Sequence, residues 1–142
     1  MPNKTLLVLS VSLLVSVFLT ACTSTTPDLQ MASLDGMPAS VQAAPDAVQQ
    51  AYQFAAANPD VLQHLPCYCG CGAMGHTSNY MCYVSGEDAQ GQPMYDEHAL
   101  GCSICVDITQ DAMRLMRDGK PLDEIKSYID LTYSQYGPTN MP

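Results

Sequence analysis

The chain has 142 residues, a formal net charge of −9, seven cysteines, three histidines and no tryptophan. A surface this acidic repels nucleic acid and anionic head groups, and it raises the local cation concentration without selecting a particular cation. With so little aromatic bulk, a domain of about a hundred residues gains usefully from crosslinks or a bound metal.

The N-terminus is laid out as a secretory signal peptide over residues 1–21: a short basic start from Met1 to Lys4, an apolar stretch from Leu6 to Leu19, and small residues before Cys22. The apolar run is too short to be preferred as a membrane span. Leu19-Thr20-Ala21-Cys22 looks like a bacterial lipobox, in which Cys22 is lipidated and becomes the first residue of the mature protein. A plain signal peptide with an incidental cysteine is the alternative. Cleavage removes Lys4 and no acid, so the mature chain is one unit more negative. Residues 22–44, rich in Thr, Pro, Ser, Ala and Gly, read as a lipid-anchored flexible tether.

Residues 45–142 form the expected domain, which should fold alone. Pro45 suits a first helical position, and Val48, Ala51, Tyr52 and Ala55 recur at helical spacing until Asn58-Pro59 stops the run. Asn58 can cap a short second helix through Leu65. From Cys67 to about Pro93 the glycines and serines predict irregular loop with a short strand at Tyr80 to Val84. A third helix begins near His98 with Leu100, Ile104, Ile108, Ala112, Leu115 and Met116 on its apolar stripe, and Gly119 ends it. A fourth starts at Pro121 and turns Ile125, Tyr128, Ile129, Thr132 and Tyr136 inward until Gly137-Pro138. The predicted fold is mainly α: a small domain of about four helices holding a cysteine-rich loop.

Six cysteines remain for chemistry: Cys67, Cys69, Cys71, Cys82, Cys102 and Cys105. In Cys67-x-Cys69-x-Cys71, alternate side chains share a face if the segment is extended, and Gly70 and Gly72 let the backbone fold around an ion. Structural zinc modules use wider spacing, so clustered thiolates point first to Cu(I), with Zn(II) and iron–sulfur clusters as rivals. Structural disulfides are the competing explanation in an exported chain. Cys102 and Cys105 are three apart near a helix start, where the helix dipole favours thiolate for ligation or for nucleophilic attack. Val106 occupies the position that a c-type haem site requires as histidine, and a thioredoxin-like strand-then-helix context is missing. His76 can complete a mixed sulfur and nitrogen shell, whereas His64 reads as a helix-face residue and His98 as a helix-start residue. Met74 and Met81 are fillers with a minor thioether option, and Asp107 is a candidate hydrogen-bond acceptor behind the ligands or a plain surface acid.

The stretch Asn58 to Leu62 followed by Pro66-Cys67-Tyr68-Cys69-Gly70-Cys71-Gly72, then His76, Ser78-Asn79, Cys82-Tyr83-Val84 and Cys102-x-x-Cys105, resembles the PCYCGC-motif family of bacterial exported lipoproteins. The resemblance covers nearly all of the mature domain. That family is named for its motif, so the resemblance implies no activity. The tail from Met113 through Gly119-Lys120 to Tyr136-Gly137 is similar to the helical hairpin of the thiol reductases of cytochrome c maturation, which implies helices and keeps redox chemistry in view.

The leading expectation is a membrane-tethered, extracytoplasmic lipoprotein that sequesters or delivers a soft metal ion, copper before zinc. Its ligands would be Cys67, Cys69, Cys71, His76, Cys82, Cys102 and Cys105, and its partners the membrane and a metal-donor or metal-acceptor protein, with no nucleic acid. The alternatives are a thiol-disulfide oxidoreductase and a structural lipoprotein with three disulfides. No residue is assigned a catalytic role.

Overall fold

Asn58-Pro59 interrupts the first long helix as the sequence requires, because Pro59 opens a new turn with no N–H to offer. The computed structural model describes residues 29–142; the expected signal peptide and Cys22 lie outside the described residues. The helices are α1 (Ala39–Gln42), α2 (Asp46–Ala57), α3 (Pro59–Leu62), α4 (Ser103–Arg117) and α5 (Leu122–Tyr133). Between α3 and α4 lie short 3-10 turns and one antiparallel hairpin, β1 (Val84–Glu87) and β2 (Pro93–Tyr95), in which Val84 faces Tyr95 and Glu87 faces Pro93. The domain is mainly α, as expected. Among the described residues no helix is long and apolar enough to cross a membrane.

The core lies where α4 packs between α2 and α5. From α2 it takes Ala51, Tyr52, Phe54 and Ala55, from α4 Ile108, Ala112 and Met113, and from α5 Ile125 and Ile129, all fully buried or nearly so. Gly119 takes a left-handed φ of +73° after α4, returning the Lys120 N–H to the Leu115 carbonyl at 3.0 Å. Only glycine adopts that geometry without strain, so the expected helix end is confirmed with its mechanism.

Four expectations are corrected. The third helix starts at Ser103 rather than near His98, because His98–Leu100 forms a separate 3-10 turn and Cys102 is extended at the N-cap. Its buried residues are accordingly Cys105, Val106, Ile108, Thr109, Ala112, Met113 and Leu115, the last as expected, while Ile104 and Met116 are only half-buried. On α5, Tyr133 rather than Tyr128 or Tyr136 turns inward, and its hydroxyl donates to Asp111 Oδ2 at 2.8 Å. The strand expected at Tyr80 to Val84 is a 3-10 turn over Tyr80–Cys82, closed by Tyr83 N–H to the Tyr80 carbonyl, and pairing begins at Val84.

The fourth correction concerns the expected tether. Met37 and Val41, four apart on one side of the α1 turn, are buried in the core. The backbone of Ala32 donates to the Gln53 carbonyl at 3.0 Å, and the side chain of Gln53 donates back to the Ala32 carbonyl at 2.8 Å. Asn58 Nδ2 reaches the Gln30 carbonyl at 2.8 Å. The composition of residues 29–44 suggested a polar linker, yet two apolar anchors and a set of α2 amides hold this segment against the domain.

Candidate metal centre

Pro66 ends the approach from α3 and places Cys67 fully inside the core. The chain then bends rather than continuing extended: Gly70, at φ +86°, turns it into the 3-10 segment Cys71–Met74, and Gly75, at φ +92°, ends that segment. A side chain at either glycine would strain the backbone, so Gly70 of the motif and Gly75 beyond it set the fold of the loop. The bend brings Cys67 Sγ within 3.4 Å of Cys69 Sγ, about half the spacing of an extended strand.

The other donors arrive from three directions. The Tyr80–Cys82 turn sets Cys82 Sγ 3.7 Å from Cys71 Sγ. The first turn of α4 sets Cys105 Sγ 3.4 Å from Cys67 and 3.6 Å from Cys69. The His98 turn sets its Nε2 3.4 Å from Cys69 Sγ. Among the described residues the six cysteines are all free thiols. Four sets of donor atoms lie within 4.8 Å of one another: Cys69, His98, Cys102 and Cys105; Cys71, His76, Cys82 and His98; Cys67, Cys69 and Cys71; and Cys67, Cys82 and Cys105. These groups can hold a metal ion.

The structure thus brings together every cysteine and histidine expected as a ligand, and it adds His98, which the sequence reading had left as a helix-start residue. A signal was present: His98 stands four residues before Cys102, and Asp96 stands two before His98. The His98 backbone N–H donates to Asp96 Oδ1 at 2.7 Å, and Asp96 Oδ2 lies 3.6 Å from His76 Nε2. Asp96 therefore faces the His76 imidazole as the outer carboxylate that metal-binding histidines usually have, and it holds the backbone of the His98 turn. Asp107, the acid considered for that position, is exposed. His76 is buried and its Nδ1 has no hydrogen-bond partner among the described residues, which leaves that nitrogen available as a donor. Met74 is exposed, Met81 Sδ accepts from Thr77, and His64 is exposed with Nδ1 2.8 Å from the Asp60 carbonyl.

A buried polar network fixes Cys105. The Tyr83 hydroxyl lies 2.7 Å from both the Cys105 carbonyl and Thr109 Oγ1, Thr109 donates to Asn79 Oδ1 at 2.8 Å, and Asn79 Nδ2 donates to the same carbonyl at 3.3 Å. Tyr52 packs edge-on against Tyr83 at 5.0 Å. Such a satisfied network restricts α4 to one position relative to the loop.

The electrostatics separate one thiol from the rest. Hydrogen bonds from Cys105 and then Cys82 outweigh burial and hold Cys67 far below the ordinary thiol range. Burial, and next the charge on Cys67, push Cys69 and Cys71 up. Hydrogen bonding to Cys67 and Cys82, with burial behind it, pushes Cys105 up. For Cys82 a lowering contact with Cys105 is outweighed by Cys67 and burial, and its thiol is also raised. Cys67 is thus the sulfur that its neighbours' hydrogen bonds favour as a thiolate, while burial and its charge hold Cys69 and Cys71 up.

The chain beyond α5 closes over the loop. Asn140 Oδ1 accepts the Cys67 N–H at 2.7 Å, the Asn140 N–H donates to the Cys67 carbonyl at 3.1 Å, and Asn140 Nδ2 lies 3.5 Å from Cys71 Sγ. Gly137 is required for this return, since a Cβ there would stand 2.8 Å from the Tyr68 carbonyl oxygen. Gly137→Ala is expected to lower unfolding stability by about 1–3 kcal/mol through that clash. Gly101→Ala, where a Cβ meets nothing within 4 Å, is the control. Equal denaturant midpoints for the two variants would refute the role given to Gly137.

Comparison with curated proteins found no match, and comparison with solved structures found none either. The model of the family described as "Protein of unknown function with PCYCGC motif" matches residues 12–142, and the chain belongs to that family.

Proposed function

We propose that this chain is a membrane-tethered, extracytoplasmic domain that sequesters a soft metal ion or hands it to a partner protein, with Cu(I) the preferred cargo and Zn(II) the second. The observation that carries the reading is the convergence of six free thiols and two imidazoles on one region. The sulfur separations of 3.4–3.7 Å are near the edge of a tetrahedral thiolate shell. For bonds near 2.3 Å that edge is about 3.8 Å. Thiolate-rich donor sets favour Cu(I), and the preference for copper rests on that softness.

The test is competition binding of Cu(I) and Zn(II) by the reduced protein, with alkylation of its thiols followed in parallel. Tight binding with most thiols protected is the expected result. A second reading has one observation in its favour: Cys102 is half-buried at the N-cap of α4, one turn from buried Cys105, as an attacking thiol and its resolving partner would be. If the protein binds neither ion more tightly than glutathione does, while Cys102 and Cys105 reduce a disulfide substrate, the oxidoreductase reading replaces the metal reading.

The tether rests on the lipobox-like Leu19-Thr20-Ala21-Cys22. Cys22→Ser is expected to abolish lipid labelling and release the protein from membranes; labelling at the normal level would remove the anchor from this proposal.

A further inference from the structure

The donors number eight, and a tetrahedral ion takes four. Their grouping is more informative than their number. One set of four is Cys69, His98, Cys102 and Cys105, the other is Cys71, His76, Cys82 and His98, and the two have only His98 in common. Each is sufficient for a closed shell of one ion. Cys67 belongs to neither set of four but to both sets of three thiols. Through these it lies within 4.8 Å of Cys69 and Cys105 from the first set and of Cys71 and Cys82 from the second. A thiolate sulfur placed between two shells has lone pairs for both.

We propose that the region is a two-ion centre in which Cys67 is the bridging thiolate. This rests on the metal reading and deepens it. The first ion is held by Cys69, Cys102, Cys105 and His98, whose Nε2 is 3.4 Å from Cys69 Sγ. The second is held by Cys71, Cys82 and His76, whose buried Nδ1 is without a partner. Cys67 Sγ, 3.4 Å from both Cys69 and Cys105, completes the second shell while remaining in reach of the first. Its full burial fits this position, since a bridging sulfur is enclosed by both shells and an exchangeable outer ligand is not. Cys102, half-buried at the N-cap of α4, is then the ligand through which the first ion can be passed on. The cargo class is a pair of thiophilic ions of one kind, bound as a thiolate cluster.

The experiment counts ions on the reduced full chain carrying Cys22→Ser, so that only the clustered thiols respond. Zn(II) is titrated with native mass spectrometry as the readout, and cadmium is substituted for NMR. Two ions per chain are expected, with two cadmium resonances coupled to each other through the shared sulfur. Cys102→Ser should weaken one ion and Cys71→Ser the other. Cys67→Ser should weaken both by about tenfold or more and remove the cadmium–cadmium coupling. The count and the coupling are read on the chain with Cys67 intact, so a Cys67→Ser variant that fails to fold does not decide the matter. One ion per chain overturns the two-ion centre and leaves the metal reading standing. Two uncoupled ions overturn the bridge. Binding of no Zn(II), Cd(II) or Cu(I) overturns the metal reading itself.

Discussion

Replacing Cys67 and Cys69 together with serine is expected to lower metal affinity by about a hundredfold or more, whereas Met74→Leu leaves it unchanged. The two sulfurs are 3.4 Å apart and between them reach every other thiol of the site, while Met74 is exposed. Loss of even an outer-shell partner typically costs 10–100-fold in affinity, and a direct ligand pair costs no less. His76→Ala, which removes one donor of several, should fall between the two. The pH dependence has a definite sign. Cys69, Cys71, Cys82 and Cys105 have raised thiol pKa values and carry protons at neutral pH, so ligation must displace them. Affinity therefore rises with pH and is lost on acidification. An ion that displaces two such protons binds about a hundredfold more weakly for each unit that the pH falls. Competition titrations at two pH values measure this directly, and a flat profile would mean that the raised thiols are not ligands.

A fragment beginning at Pro45 is expected to be less stable than one beginning at Leu29 by roughly 3 kcal/mol or more. The estimate follows from exposing the sites of Met37 and Val41, since each fully buried side chain of this size contributes about 1.5–3 kcal/mol. The lost bonds between the Ala32 backbone and Gln53 add to the effect. Against the total stability of a small domain, about 5–15 kcal/mol, this is a large fraction. Urea unfolding of both fragments, followed by helical circular dichroism, decides it. Coincident midpoints would show that the segment rests on the domain without supporting it.

Those two results touch the places where the sequence was most and least informative. The long helices were legible because α2, α4 and α5 carry apolar residues at helical spacing with Pro and Gly at their ends. Their exact faces were less so: the six candidates for the α4 stripe included Ile104 and Met116 and left out Thr109, which faces inward because Asn79 and Tyr83 satisfy its hydroxyl. The expected ligands were recognisable from residue type and density. What joined Cys67 to Cys105 was not local, since it depends on a polar network linking residues 79, 83, 105 and 109. His98 was missed because a lone histidine is ordinary until the fold sets a sulfur beside it. Met37 and Val41 were missed because two apolar residues in a polar segment give no measurable period. Asn140 gave no signal at all, being a single amide in a loop.

That amide also fixes an order of events. Asn140 is separated from Cys67 by 73 positions, while the donors themselves end at Cys105. A chain that emerges from its N-terminal side presents all of its thiols before the residue that locks the first of them in place. The bonds among residues 79, 83, 105 and 109 can form in that interval, whereas the closure from Cys67 to Asn140 waits for the end of the chain. The backbone of Cys67 thus gains its last two partners only when residue 140 has been made.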